Sequence, residues 1–105
     1  MGHVNYQEVL DDGQGVSVYV EFRTSGPKVE SYSVVLLLET DNGIETIRLY
    51  DSAHGFNEMH RYRQGDGKQR GVPFHPGSLG EGMRAAVKAV EEGYVEMIEG
   101  WRGSE

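Results

Sequence analysis

Apolar and polar positions alternate through the first half of the chain. Val4, Tyr6, Val9 and Leu10 lead into Asp11-Asp12-Gly13-Gln14-Gly15, and then Val16, Val18, Val20 and Phe22 recur at every second position. A period of two puts side chains on one face of a strand, and an Asp-Gly step between two such runs is a hairpin turn signal. After the break at Ser25-Gly26-Pro27, an extended segment over residues 29–40 runs into Asp41-Asn42-Gly43. The alternating Ile44, Thr46, Arg48 and Tyr50 follow. This spacing predicts a second hairpin with Asn-Gly at its turn. A loop over 51–57, a short fifth strand over 58–64 and a Gly- and Pro-containing connection over 64–76 complete the strand region. The period then changes. Leu79, Met83, Val87, Val90, Tyr94, Met97 and Trp101 recur at steps of three and four, with Glu91, Glu92, Glu96 and Glu99 on the flanks. That stripe belongs to an amphipathic helix. Ser78 followed three residues on by Glu81 is the capping-box signature, so the helix is predicted from near Leu79 to Gly100. The expected fold is α+β: an antiparallel sheet of about five strands with one C-terminal amphipathic helix packed on one face.

The third strand adds a constraint. Val34 to Leu38 is apolar at every position, so it presents apolar side chains to both faces of the sheet. One helix covers one face; for the other, the sheet curls toward a barrel, the first hairpin folds over it, or a second copy covers it, and the favoured expectation is the second copy, a homodimer.

At 105 residues the chain is one domain, 1–105, with one core. Its longest apolar run is far below the roughly 20 residues needed to span a bilayer, so no membrane insertion is expected. Cys is absent, which removes disulfides, thiolate zinc sites and cysteine nucleophiles. The start Met1-Gly2-His3-Val4 has neither a cationic region nor an apolar signal core, and Tyr6 stands where a myristoylation signal wants Ser or Thr; a cytoplasmic location is expected. The net charge is −7, yet residues 48–70 carry Arg48, Arg61, Arg63, Lys68 and Arg70 against only Asp51, Glu58 and Asp66. A locally basic segment on an acidic body suits a focused site rather than nonspecific nucleic-acid binding, or docking to an acidic protein partner.

That segment also concentrates the acid–base groups. His54, His60, Tyr50 and Tyr62 lie within it, and strand alternation pairs His60 with Tyr62 on one face and Arg61 with Arg63 on the other. Histidine exchanges protons near neutrality and arginine holds phosphate bidentately. A histidine pair with Arg, Tyr or Lys suffices for metal-free RNA cleavage, because the ribose 2′-hydroxyl is the nucleophile. The candidate catalytic residues are therefore His54, His60, Tyr50 and Tyr62, and the candidate phosphate-binding residues Arg61, Arg63 and Lys68, with no cofactor and no metal. Asp51, His54 and His60 also form a two-histidine, one-carboxylate set, although no helical spacing supports it as a metal site. Gly65-Asp66-Gly67-Lys68 lacks the spacing of a phosphate-cradling loop and reads as a turn. His3 and His75 read as surface or packing residues.

Tyr50-Asp51, Gly55, His60-Arg61-Tyr62, Pro73-Phe74 and the closing helix from Leu79 together resemble the TumE-like toxin components of prokaryotic toxin–antitoxin modules, over about residues 32–100. The resemblance implies a toxin acting on RNA by metal-independent acid–base chemistry and a cognate antitoxin protein. This chain has Ser52 where that family often has Asn, and Phe56-Asn57-Glu58-Met59 leads into a single His60. The alternative is a noncatalytic binding or assembly module. The two readings differ in whether His54, His60 and an arginine converge on one small ligand.

Overall fold

A computed structural model describes residues 2–104. Seven strands precede one helix: β1 Gly2–Asp11, β2 Val16–Ser25, β3 Lys28–Thr40, β4 Gly43–Asp51, β5 Asn57–Arg63, β6 Gly67–Lys68, β7 Val72–His75 and α1 Leu79–Arg102. The first five form an antiparallel meander in chain order, each paired with the next. Beyond β5, its C-terminal end pairs with β6 and its N-terminal end with β7. The α+β class and the single C-terminal helix are as the sequence predicts.

The strand count is higher than about five because the connection over 64–76 contains β6 and β7. Both are short and rich in the residues that usually interrupt strands. Pro73 is tolerated because β7 pairs only with β5, so its missing N–H faces outward on an edge.

The core lies between the sheet and α1. Val16, Val18 and Val20 on β2, Tyr32, Val34, Leu36 and Leu38 on β3, and Ile47 and Tyr50 on β4 point toward the helix and are buried. The deepest positions of α1 are Gly82, Met83, Ala86, Val90, Ile98 and Trp101, while Leu79, Val87, Tyr94 and Met97 are half-buried at its edges. The stripe is therefore centred slightly off the large apolar residues. Small side chains at Gly82 and Ala86 let the helix lie close to the sheet, and the large ones fill the margins. Ser78 caps the helix: its Oγ accepts from the Glu81 N–H, and the Glu81 carboxylate accepts from the Ser78 N–H. On the sheet face opposite the helix, Val35, Leu37 and Leu49 are half-buried. No helix among the described residues is long and apolar enough to cross a membrane.

Asn57, the first residue of β5, is 1% exposed and ties this arrangement together. Its Oδ1 accepts from the Tyr32 hydroxyl at 2.7 Å, and its Nδ2 donates toward the carbonyls of His75, Gly77 and Ser78 at 3.2, 3.0 and 3.2 Å. One amide thus joins β3, β5 and the segment that enters α1. A Cβ at Gly82 would collide with this amide. Gly82→Ala is therefore expected to destabilise the protein by about 1 to 3 kcal/mol, the usual cost of overpacking, even though alanine is the better helix former. Gly100→Ala, where an added methyl meets nothing within 4 Å, should instead stabilise by about 0.5 to 1 kcal/mol. Urea denaturation of both variants checks the pair, and shifts of the same sign would count against the role given to Asn57.

Candidate functional site

The register of β4 against β5 sets the chemistry. Arg48 pairs with Arg61, Leu49 with His60, Tyr50 with Met59, and Asp51 with Glu58. Paired residues share a face and successive residues alternate. Because Tyr50 and Met59 lie in the core under α1, Asp51, Glu58 and His60 turn to the opposite face. The backbone of 69–71 runs beside them. A Cβ at Gly71 would collide with the Glu58 carboxylate, so a glycine there lets the segment lie against that side chain. The result is a set of polar groups with little solvent: Glu58 is 6% exposed, Asp51 8% and His60 5%.

Their contacts are specific. His60 Nδ1 lies 3.0 Å from the Gln69 carbonyl oxygen, and His60 Nε2 lies 3.1 Å from Glu58 Oε1 and 3.9 Å from Asp51 Oδ1. His54, in the exposed β4–β5 loop, brings its Nδ1 to the same Glu58 Oε1 at 2.8 Å. Hydrogen bonding from His54 is the largest influence on Glu58 and holds its pKa below the usual carboxylate value against the opposing push of burial; the charges of both histidines act in the same direction. Asp51 Oδ1 is fully buried and makes no hydrogen bond among the described residues. One donor atom each from Asp51, Glu58 and His60 lies within 4.8 Å of the others. On its other side Asp51 borders an open cleft of about 360 Å³, shared with Arg23, Ser31 and Ser33.

The Gln69 carbonyl can only accept, so the 3.0 Å contact requires that His60 Nδ1 carry the proton. Neutral His60 then presents the Nε2 lone pair to two carboxylates, which is repulsive. A proton held between Nε2 and Glu58 Oε1, or a metal ion, removes that repulsion. A histidine whose far nitrogen is fixed by a backbone carbonyl is the arrangement that orients metal-ligating imidazoles.

The structure does not bring the residues singled out from the sequence to one place. His54 and His60 come together, and they meet on a carboxylate. Tyr50 does not join them: it is 4% exposed on the helix side, its ring edge-on to Phe74 with centroids 4.9 Å apart, and is a packing residue. Tyr62 is half-buried, and burial, with a smaller contribution from the charge of Asp51, raises its pKa. Arg61 and Arg63 line a separate cleft under the C-terminal part of α1, which Lys68 does not line. His3 meets Glu21 on the surface at 2.8 Å, and His75 Nδ1 accepts from the Gly77 N–H. Glu58 is the central residue that sequence reasoning missed. A hairpin centred between His54 and Gly55 pairs Asp51 with Glu58, and that signal was available.

A family model described as a domain of unknown function, DUF7718, matches residues 1–103. The chain belongs to the DUF7718 family. No curated protein and no solved structure matches it. The chemistry of this DUF7718 chain therefore has to be read from its own side chains.

Proposed function

We propose that Asp51, Glu58 and His60, with His54 at the exposed edge, bind a divalent transition-metal ion. The observation that carries this reading is the His60 ring: its Nδ1 is committed to a backbone carbonyl, and its Nε2 faces two buried carboxylates, one of which has an oxygen without a partner. Ligands held about 2.0 to 2.2 Å from a common ion stand roughly 3 to 4 Å apart, and the 3.1 and 3.9 Å separations at His60 Nε2 fall in that interval. Carboxylate oxygens with imidazole and without thiolate suit Zn²⁺, Mn²⁺ or Fe²⁺. Three buried donors leave coordination positions for water or a ligand, and an ion so held acts as a Lewis acid.

Chelator-treated protein is expected to take up one equivalent of Zn²⁺ or Mn²⁺ in isothermal titration and to melt at higher temperature when loaded. Asp51→Asn preserves shape and removes the charge. It should weaken uptake by at least about a hundredfold, because loss of a ligand costs more than loss of an outer-shell partner. A wild type without saturable uptake, or an Asp51→Asn protein that binds as well, would overturn the reading.

A second reading keeps an RNA-directed toxin with His54 and His60 as acid and base and no metal. What favours it is the approach of both imidazoles to one Glu58 oxygen, which couples an exposed histidine to a buried one. In that case induced expression slows growth, a chelator does not protect RNA in vitro, and His60→Ala loses about 10²- to 10⁴-fold in cleavage rate while circular dichroism stays native. Intact RNA and normal growth with the wild type would move the balance to a noncatalytic module docking an acidic partner.

A further inference from the structure

The second charged feature lies on the other face of the β4–β5 hairpin. A cleft of about 400 Å³ opens between that hairpin, the 69–72 segment and the last turns of α1. Four arginines line it: Arg48 from β4, Arg61 and Arg63 from β5, and Arg70 from the segment after β6. Among the described residues no Asp or Glu lines it. Arg48 and Arg61 are direct cross-strand partners, and like charges in that position repel. The Arg48 Nε is fully buried without a hydrogen-bond acceptor.

The end of α1 accounts for only part of this. Arg63 donates from Nη2 to the Ser104 carbonyl at 3.3 Å and lies 3.9 Å from Asp66, which suits a cation at a helix C-terminus. Arg48, Arg61 and Arg70 make no ion pair among the described residues. Most of the rest of the wall is apolar or aromatic, from Ile47, Met59, Val72, Met97, Tyr62 and Trp101, with Gln69, Gly100 and Ser104 completing it. A cleft of this volume is in the range of small-molecule sites, about 300 to 1,000 Å³, and larger than a bare oxyanion requires. Guanidinium groups bind phosphate bidentately and also stack on planar rings.

We propose that this cleft binds a phosphomonoester carried on a planar aromatic body, of mononucleotide size. The phosphate sits between Arg48 and Arg61 and relieves their repulsion, and the planar body lies toward Trp101 and Met97. The site is independent of the carboxylate–histidine cluster, which points to the opposite face of the same hairpin.

Trp101 is the sole tryptophan, so its indole N–H gives one resonance that reports on the cleft. Titration of the full chain with AMP, adenosine and inorganic phosphate, in the presence of a chelator, separates this site from any metal. AMP is expected to shift the indole resonance saturably and to bind at least about tenfold more tightly than either fragment. Arg48→Gln and Arg61→Gln should each weaken AMP by roughly ten- to a hundredfold, the range of a lost charge-assisted hydrogen bond, while Lys68→Gln leaves it unchanged. Equal binding of adenosine and AMP would overturn the phosphate assignment, and equal binding of phosphate and AMP the planar body. An AMP titration without a saturable shift, or unchanged affinity in both arginine variants, would overturn the site.

Discussion

The four pairings between β4 and β5 constrain everything else in this molecule. They set Asp51 against Glu58 at one end and Arg48 against Arg61 at the other, with Tyr50 and Met59 buried between them. Like charges facing each other across an antiparallel pair destabilise it. The hairpin keeps both pairs because it is held from outside. Asn57 anchors the start of β5 to β3 and to the entry of α1, and β6 and β7 hold its far edge. A slip of β5 by one residue would carry Glu58 and His60 into the apolar core and strip the core of Met59.

With the register fixed, the two repulsive pairs become two unlike sites. The carboxylate pair faces away from the helix and is met by His60, whose ring is oriented by the Gln69 carbonyl, and by His54 from the loop. The arginine pair faces the C-terminal part of α1 among apolar side chains. Each concentrates one sign of charge, the carboxylates where water is scarce and the arginines along the wall of a cleft, so an ion of the opposite sign gains more at either place than it would beside a lone charge on an open surface. Strand alternation keeps the two apart, although their residues are interleaved over 48–61.

Much of the fold was legible in the chain. Asp-Gly and Asn-Gly turns, period-two runs and the Ser78–Glu81 capping box are local signals, and each element they predict lies within a few residues of its place. Strands β6 and β7 were not legible, because two- and four-residue strands bounded by Gly and Pro carry no periodicity and exist only through pairing with β5. The site was half legible. The density of histidine and arginine marked the segment that carries both proposed sites, and the register places His60 and Arg61 on opposite faces as strand alternation predicts. Tyr50 was singled out for its acid–base competence, and register commits its ring to the core beside Phe74. Asn57 carried no signal of its own, since a buried amide hub depends on contacts from β3 and the 75–78 segment; the pairing of Glu58 with Asp51 was readable from the hairpin, but its sharing by two histidines depends on the loop.

The central claim is that the charge required between Asp51, Glu58 and His60 is supplied by a metal ion. Diffraction from crystals grown with Zn²⁺, recorded on both sides of the zinc absorption edge, tests it most directly. The account predicts one anomalous peak about 2.0 to 2.2 Å from His60 Nε2 and from a carboxylate oxygen of both Asp51 and Glu58. A structure with zinc elsewhere and His60 hydrogen-bonded directly to Glu58 would contradict it, and would leave a doubly protonated imidazole as the cation of the cluster.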